Sequence, residues 1–206
     1  MNELDASKEY SYQKHINPYY ENYLVCEIDK TGIDKINEST EEHCRAKIQE
    51  SQYKLDGDQI RKRFSTGRLC EYACEKHLGI SIIDWTIGYS SRYNVPDITI
   101  KDSRFKNGKF ECGIKGVRYD SFNPKFPIIE KRNNYPQIIC IVTPHGKKVH
   151  ICGVASPLVL NTYQNDYLIL SKSARDKGFK TGFYGFSKLK SFQNLDDLKE
   201  ICLSFH

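Results

Sequence analysis

Apolar positions recur along this chain with two different periods, and the change between them falls near Gly79. Before it the pattern is helical. From Ile33 to Leu55 the chain is charged and free of Pro, and Ile33, Ile36, Cys44, Ile48 and Tyr53 form a sparse apolar stripe. This predicts a surface helix starting near Asp34 or Ser39 and broken at Gly57. A second helix is predicted from Asp58, an acceptable cap, to His77, with Leu78-Gly79 closing it. Ile60, Phe64, Leu69, Cys70, Ala73 and Cys74 supply its apolar side. Gly67 lies inside and costs about 1 kcal/mol of helix propensity relative to Ala, so either the helix breaks there or something packs closely on it.

After Gly79 the period shortens to two. Strands are predicted at Ser81 to Ile87, Asp97 to Ile100, Lys109 to Val117, Pro127 to Glu130, Gln137 to Val142 and Lys148 to Val154. Asn107-Gly108 and Pro144-His145-Gly146 mark tight turns between some of them. A short helix is predicted over Leu195 to Leu203 with Asn194 as its cap. Residues 1–31 read as a loosely ordered arm with one strand around Tyr23 to Cys26. Helices first and a meandering sheet afterwards indicate an α/β or α+β domain.

Composition narrows the function classes. The chain has 206 residues, 39% apolar and 12% aromatic, enough for a packed core, so disorder is excluded as a global description. The net charge of +5 averages two unlike parts. Residues 1–100 carry 13 Lys/Arg against 17 Asp/Glu, whereas residues 101–206 carry 18 against 9. A basic second half points to a polyanionic partner. No stretch approaches the roughly 18–20 apolar residues that span a membrane. The acidic N-terminus is unlike a secretory one, and the eight cysteines form no CxxC pair. Free thiols in a reducing, cytoplasmic setting follow as the expectation. There is no phosphate-binding GxxxxGK(S/T) loop, no nucleophile elbow and no zinc-deaminase pattern.

The chemistry concentrates in three segments: Gly67-Arg68-Leu69-Cys70-Glu71-Tyr72-Ala73, Pro96-Asp97, and Phe110-Glu111-Cys112-Gly113-Ile114-Lys115. Strand alternation puts Glu111, Gly113 and Lys115 on one face and Phe110, Cys112 and Ile114 on the other, which packs on the core. The Asn107-Gly108 turn predicts a hairpin that sets Asp97 beside Lys115. An aspartate, a second acid and a lysine are the raw material of a Mg²⁺-dependent phosphodiesterase: hard oxygens hold the ion, and the amine meets charge on the phosphoryl oxygens.

In this order of residues the chain resembles the PD-(D/E)xK nuclease superfamily, and is most similar to small phage and bacterial endonuclease-like members with a Gly-x-x-Gly-Glu-x-Ala helix. The resemblance covers about Phe64 to Val154 and weakens towards Phe192. It implies a restriction-endonuclease-like core, a mixed central sheet flanked by helices, over 58–206, with residues 1–57 as a separate helical arm. It further implies a metal-dependent endonuclease acting on double-stranded DNA through a metal-activated water, with Mg²⁺ as cofactor and Mn²⁺ as a substitute. A homodimer is compatible with it, and a phage-encoded member works in the host cytoplasm. Asp97 would match the metal-bridging aspartate, Lys115 the catalytic lysine, Glu71 the helix glutamate and the Ile114 carbonyl the backbone ligand.

Two positions depart from the family pattern. Cys70 replaces the second helix glycine, a small packing change. Gly113 stands where the family has an acid two residues before the lysine. Either Glu111 substitutes from the same strand face, or the acid has migrated (Glu130 is the next candidate), or the site is crippled. The last option gives an alternative: a catalytically impaired nuclease fold that binds nucleic acid as an accessory factor. Plain readings stand beside each residue, with Glu71 as a helix surface acid, Glu75 as a surface residue and Glu111 as an ion-pair partner of Lys109 or Lys115. The basic, aromatic-rich stretch holding Lys172, Arg175, Lys177 and Lys180 is the candidate nucleic-acid contact; its plain reading is a solvated segment anchored by aromatics.

Overall fold

A computed structural model describes residues 17–49, 57–85, 95–118, 127–166, 176, 178 and 180–205. Its centre is a mixed five-stranded sheet in the order β1-β6-β5-β3-β2. The strands are β1 (Leu24–Glu27), β2 (Ile98–Lys101), β3 (Lys109–Arg118), β5 (Gln137–Val142) and β6 (Lys148–Ala155). β3 and β5 run parallel, and the other neighbours are antiparallel. β4 (Ile128–Glu130), β7 (Gln164–Asn165) and β8 (Lys180–Phe183) form a second sheet of three strands. The fold is therefore α+β, with a mixed sheet flanked by helices.

Each face of the central sheet is buried by a different layer. Ile138, Cys140 and Val142 of β5 pack with Leu69, Cys70, Ala73, Leu198 and Cys202. These belong to helices α2 (Gly57–Leu78) and α4 (Leu195–Leu203). Ile139 and Ile141 face the other way, onto Ile129, Leu160, Phe183 and Phe186. Burial on both faces is why residues 138–142 read as an unbroken apolar run rather than an alternation. Leu160 comes from the short helix α3 (Pro157–Thr162), whose cap Ser156 accepts the Val159 N–H.

The front of the chain joins this core. β1 pairs with β6 at the sheet edge, and Ile28 and Ile36 lie in the helix-side core. Helix α1 (Lys30–Gln49) starts four residues before the predicted Asp34, because Asp29 caps it by accepting the Gly32 N–H at 2.7 Å. Gly32 is needed for another reason too: a Cβ there would lie 2.6 Å from the Tyr72 ring of α2. Ion pairs Arg61–Glu41 and Lys76–Asp29 join the two helices along their length.

Helix α2 runs unbroken through Gly67, and nothing packs closely there; a Cβ would find only Glu71 Oε1, at 3.9 Å. The close approach occurs instead at Gly116 of β3, where a Cβ would fall 2.2 Å from Cys70 Sγ. The glycine that lets helix and strand meet has thus moved from the helix to the strand. The strand expected at Ser81 to Ile87 is not formed over 81–85. There the Ile82 and Ile83 N–H groups donate to the Glu75 carboxylate at 2.8 and 3.0 Å, leaving no ladder to build. Glu75 is accordingly half-buried, not the surface acid the sequence suggested. Asn194 caps α4 as predicted, accepting the Asp197 N–H at 2.9 Å.

Candidate functional site

The site region forms where the β2–β3 hairpin meets the start of β5. Antiparallel register pairs Ile98 with Cys112 and Thr99 with Glu111. Continuing it by one residue sets Asp97 opposite Gly113. On the other side, parallel register pairs Gly113 with Gln137 and Lys115 with Ile139. Paired residues share a sheet face, so Asp97, Gly113 and Gln137 form one row across three strands. Lys115 and Glu111 flank that row on the same face, while Ile98, Phe110, Cys112 and Ile114 point into the core.

Asp97 is fixed in this place by its backbone partner: its Oδ2 accepts the Ile114 N–H at 2.5 Å. The residue remains accessible to water although its carboxylate is densely surrounded. That crowding pushes its pKa above the ordinary carboxylate value, opposed by the Ile114 N–H and by the charges of Lys115 and Arg68. Glu71, from α2, is likewise pushed up, first by burial; Arg68 opposes the shift and the charge of Asp97 adds to it. Asp97 therefore feels the charges of Lys115 and Arg68, and Glu71 feels those of Arg68 and Asp97, across the helix–hairpin junction.

Glu71 is only 20% exposed and is held by Arg68, whose Nη1 donates to its Oε2 at 2.7 Å. Arg68 also donates through Nη2 to the Asp84 carbonyl at 2.7 Å, and its guanidinium lies 4.9 Å from the centre of the Phe64 ring. Glu71 is thus neither free nor a solvated surface acid. Glu111 is half-buried opposite Thr99. Glu130, the alternative acid, is exposed and lies 3.7 Å from the Lys180 ammonium. Among the described residues, no group of three or more His, Cys, Asp or Glu side chains is arranged to hold a metal ion.

Gly113 is glycine for a steric reason. A Cβ there would lie 2.9 Å from Tyr135 Cε2, 3.4 Å from Gln137 Cγ and 3.6 Å from Asp97 Oδ2. The Tyr135 ring occupies the space an acidic side chain at 113 would need. Burial raises the Tyr135 pKa, and the charges of Asp97, Glu111 and Glu130 raise it further, so its phenol stays protonated beside these acids. Gln137 is 3% exposed and bonds through Nε2 to Asn133 Oδ1 at 2.9 Å, while its Oε1 is buried without a hydrogen-bond partner.

Arg68, Tyr135 and Gln137 were not among the sequence candidates. Arg68 carried a signal in its i,i+3 spacing to Glu71. Gln137 carried one as the only polar residue of a strand otherwise made of Ile, Cys and Val. Tyr135 carried none, since its position over Gly113 depends on tertiary structure. Of the proposed basic contacts, Lys172, Arg175 and Lys177 lie outside the described residues; Lys180 opens β8 beside Glu130. All eight cysteines are free thiols. No described helix is long and apolar enough to cross a membrane.

No protein-family model, no curated protein and no solved structure matches this chain.

Proposed function

We propose that this protein is a metal-dependent endonuclease of the PD-(D/E)xK kind, hydrolysing phosphodiester bonds of DNA in the cytoplasm. The observation that carries the reading is the placement of Asp97 and Lys115 on one face of adjacent strands, close enough for the lysine to oppose the aspartate's upward pKa shift. The donors beside them fit a hard divalent cation such as Mg²⁺ or Mn²⁺: an accessible carboxylate, the Ile114 carbonyl, and an amide oxygen without a partner next to Gly113. When bound, such an ion would polarise the phosphate and acidify a water. Lys115 would meet the charge growing on the phosphoryl oxygens. Arg68 keeps Glu71 in place and favours its ionised form, so that Glu71 adds negative potential beside Asp97.

Plasmid cleavage with Mg²⁺ tests this. Asp97→Ala and Lys115→Ala are each expected to slow cutting by about 100-fold or more while leaving DNA binding in place. Cutting at the wild-type rate by both variants would overturn the assignment. A second reading, a nuclease fold that binds nucleic acid without turnover, draws on the Tyr135 ring over Gly113 and the Arg68 hold on Glu71. It expects salt-dependent DNA binding by the wild type with no cleavage in Mg²⁺ or Mn²⁺.

A further inference from the structure

We infer that the amide oxygen of Gln137, on the strand next to Gly113, is the metal ligand that replaces the acid absent at 113. The inference rests on the metal-dependent reading above and deepens it by giving that unpartnered oxygen the place of the missing acid.

The argument begins with the orientation of two amides. The Glu130 carbonyl can only accept, so the Asn133 group 2.6 Å from it is the Nδ2 donor. Asn133 Oδ1 is then an acceptor, and the Gln137 group 2.9 Å from it must be Nε2. A planar amide puts its oxygen on the opposite side from its nitrogen, so Gln137 Oε1 faces away from Asn133. It is buried and has no partner. A buried carbonyl left this way is unfavourable, yet two hydrogen bonds within residues 130–137 hold it so.

The second observation is location. Gln137 Cγ and Asp97 Oδ2 lie 3.4 and 3.6 Å from the same point, the position a Gly113 Cβ would take. Gln137 and Asp97 therefore flank Gly113 from both neighbouring strands. With Tyr135 packed over the glycine, an acid at position 113 has no room, and Gln137 brings a donor to the row from the strand alongside. An amide carbonyl is a hard oxygen, suited to Mg²⁺ and Mn²⁺. It supplies that donor without adding a third negative charge to a site where Asp97 and Glu71 already repel.

Mn²⁺ binding to the full chain, followed by titration calorimetry and by the electron paramagnetic resonance of free Mn²⁺, tests the assignment. Gln137→Met keeps the length and apolar bulk but removes the oxygen; it is expected to weaken Mn²⁺ binding by about tenfold or more. Gln137→Glu keeps an oxygen and is expected to bind as tightly as wild type or more tightly. Thermal melts of the metal-free variants establish that each is folded, and Gln137→Glu decides should Gln137→Met fail to fold. Unchanged Mn²⁺ affinity in Gln137→Met, with binding lost in Asp97→Asn, would overturn the inference and leave the metal-dependent reading standing. Weakened binding in a folded Gln137→Glu would overturn it as well. No Mn²⁺ binding by the wild type would remove both.

Discussion

At Asp97 the burial of a single carboxylate ties the stability of the fold to pH. Its carboxyl is densely surrounded, which raises its folded pKa above the unfolded value. The sign follows from proton linkage: between the two values the folded state binds more protons than the unfolded chain. The stability the protonated carboxyl brings is full below the unfolded pKa and lost as pH rises through the folded one. At neutral pH the ionised Asp97 therefore destabilises the fold. Asp97→Asn keeps an oxygen to accept the Ile114 N–H and removes the charge. It is expected to melt at a higher temperature than wild type at pH 7, with the advantage shrinking as pH is lowered into the acidic range, while cleavage is lost. Melts across pH by circular dichroism check this; a lower melting temperature for Asp97→Asn at pH 7 would contradict it. Glu71, also raised by burial, adds to the same trend in the wild type, moderated by Arg68.

At the scale of elements, local pattern and long-range packing divide the outcome. Gln137–Val142 and Leu195–Leu203 fall where they were predicted, because a doubly buried strand and a capped amphipathic helix are each written in consecutive residues. Ser81 to Trp85 has strand-like residues yet no partner strand, because Glu75 satisfies its N–H groups from the helix before it. Asp97 and Lys115 were legible as candidates from one hairpin, since Asn107-Gly108 lies between them. Tyr135 over Gly113 was not, because it comes from a loop about twenty residues further along the chain. The α2–β3 contact is of this second kind. Gly116→Ala would drive a methyl into the Sγ of the fully buried Cys70, 2.2 Å away. It is expected to cost about 1–3 kcal/mol. Adding Cys70→Ala removes the sulfur and leaves Cys70 Cβ at 3.3 Å, so the pair should recover a large part of that loss. Urea denaturation of the four proteins of this cycle measures the coupling; additive effects would mean that the two residues are not in contact.

Across the whole molecule, the basic surplus of residues 101–206 acquires a location. The face of the β2–β3 hairpin that holds Asp97 and Lys115 also holds Lys101 and Lys109, which the register sets directly opposite each other, both exposed. Like charges opposed across a strand pair are unfavourable, and nothing in the packing of two exposed lysines repays that. A polyanion lying along the hairpin towards Asp97 would. By contrast, Arg104 in the same hairpin is engaged by Asp102 and Glu200, and Lys148 by Glu27. Net charge alone therefore overstates the surface offered to phosphate. Lys101→Ala and Lys109→Ala are each expected to weaken DNA binding and to lower the slope of log affinity against log salt by about one, the release of one counterion per lost phosphate contact. Folding should respond in the opposite sense, with stability unchanged or raised by a few tenths of a kcal/mol, roughly the worth of one exposed cross-strand charge repulsion. Titrations at several salt concentrations, with urea melts of the same preparations, separate the two effects. A loss of binding with an unaltered salt slope would place the nucleic acid on another face of the molecule.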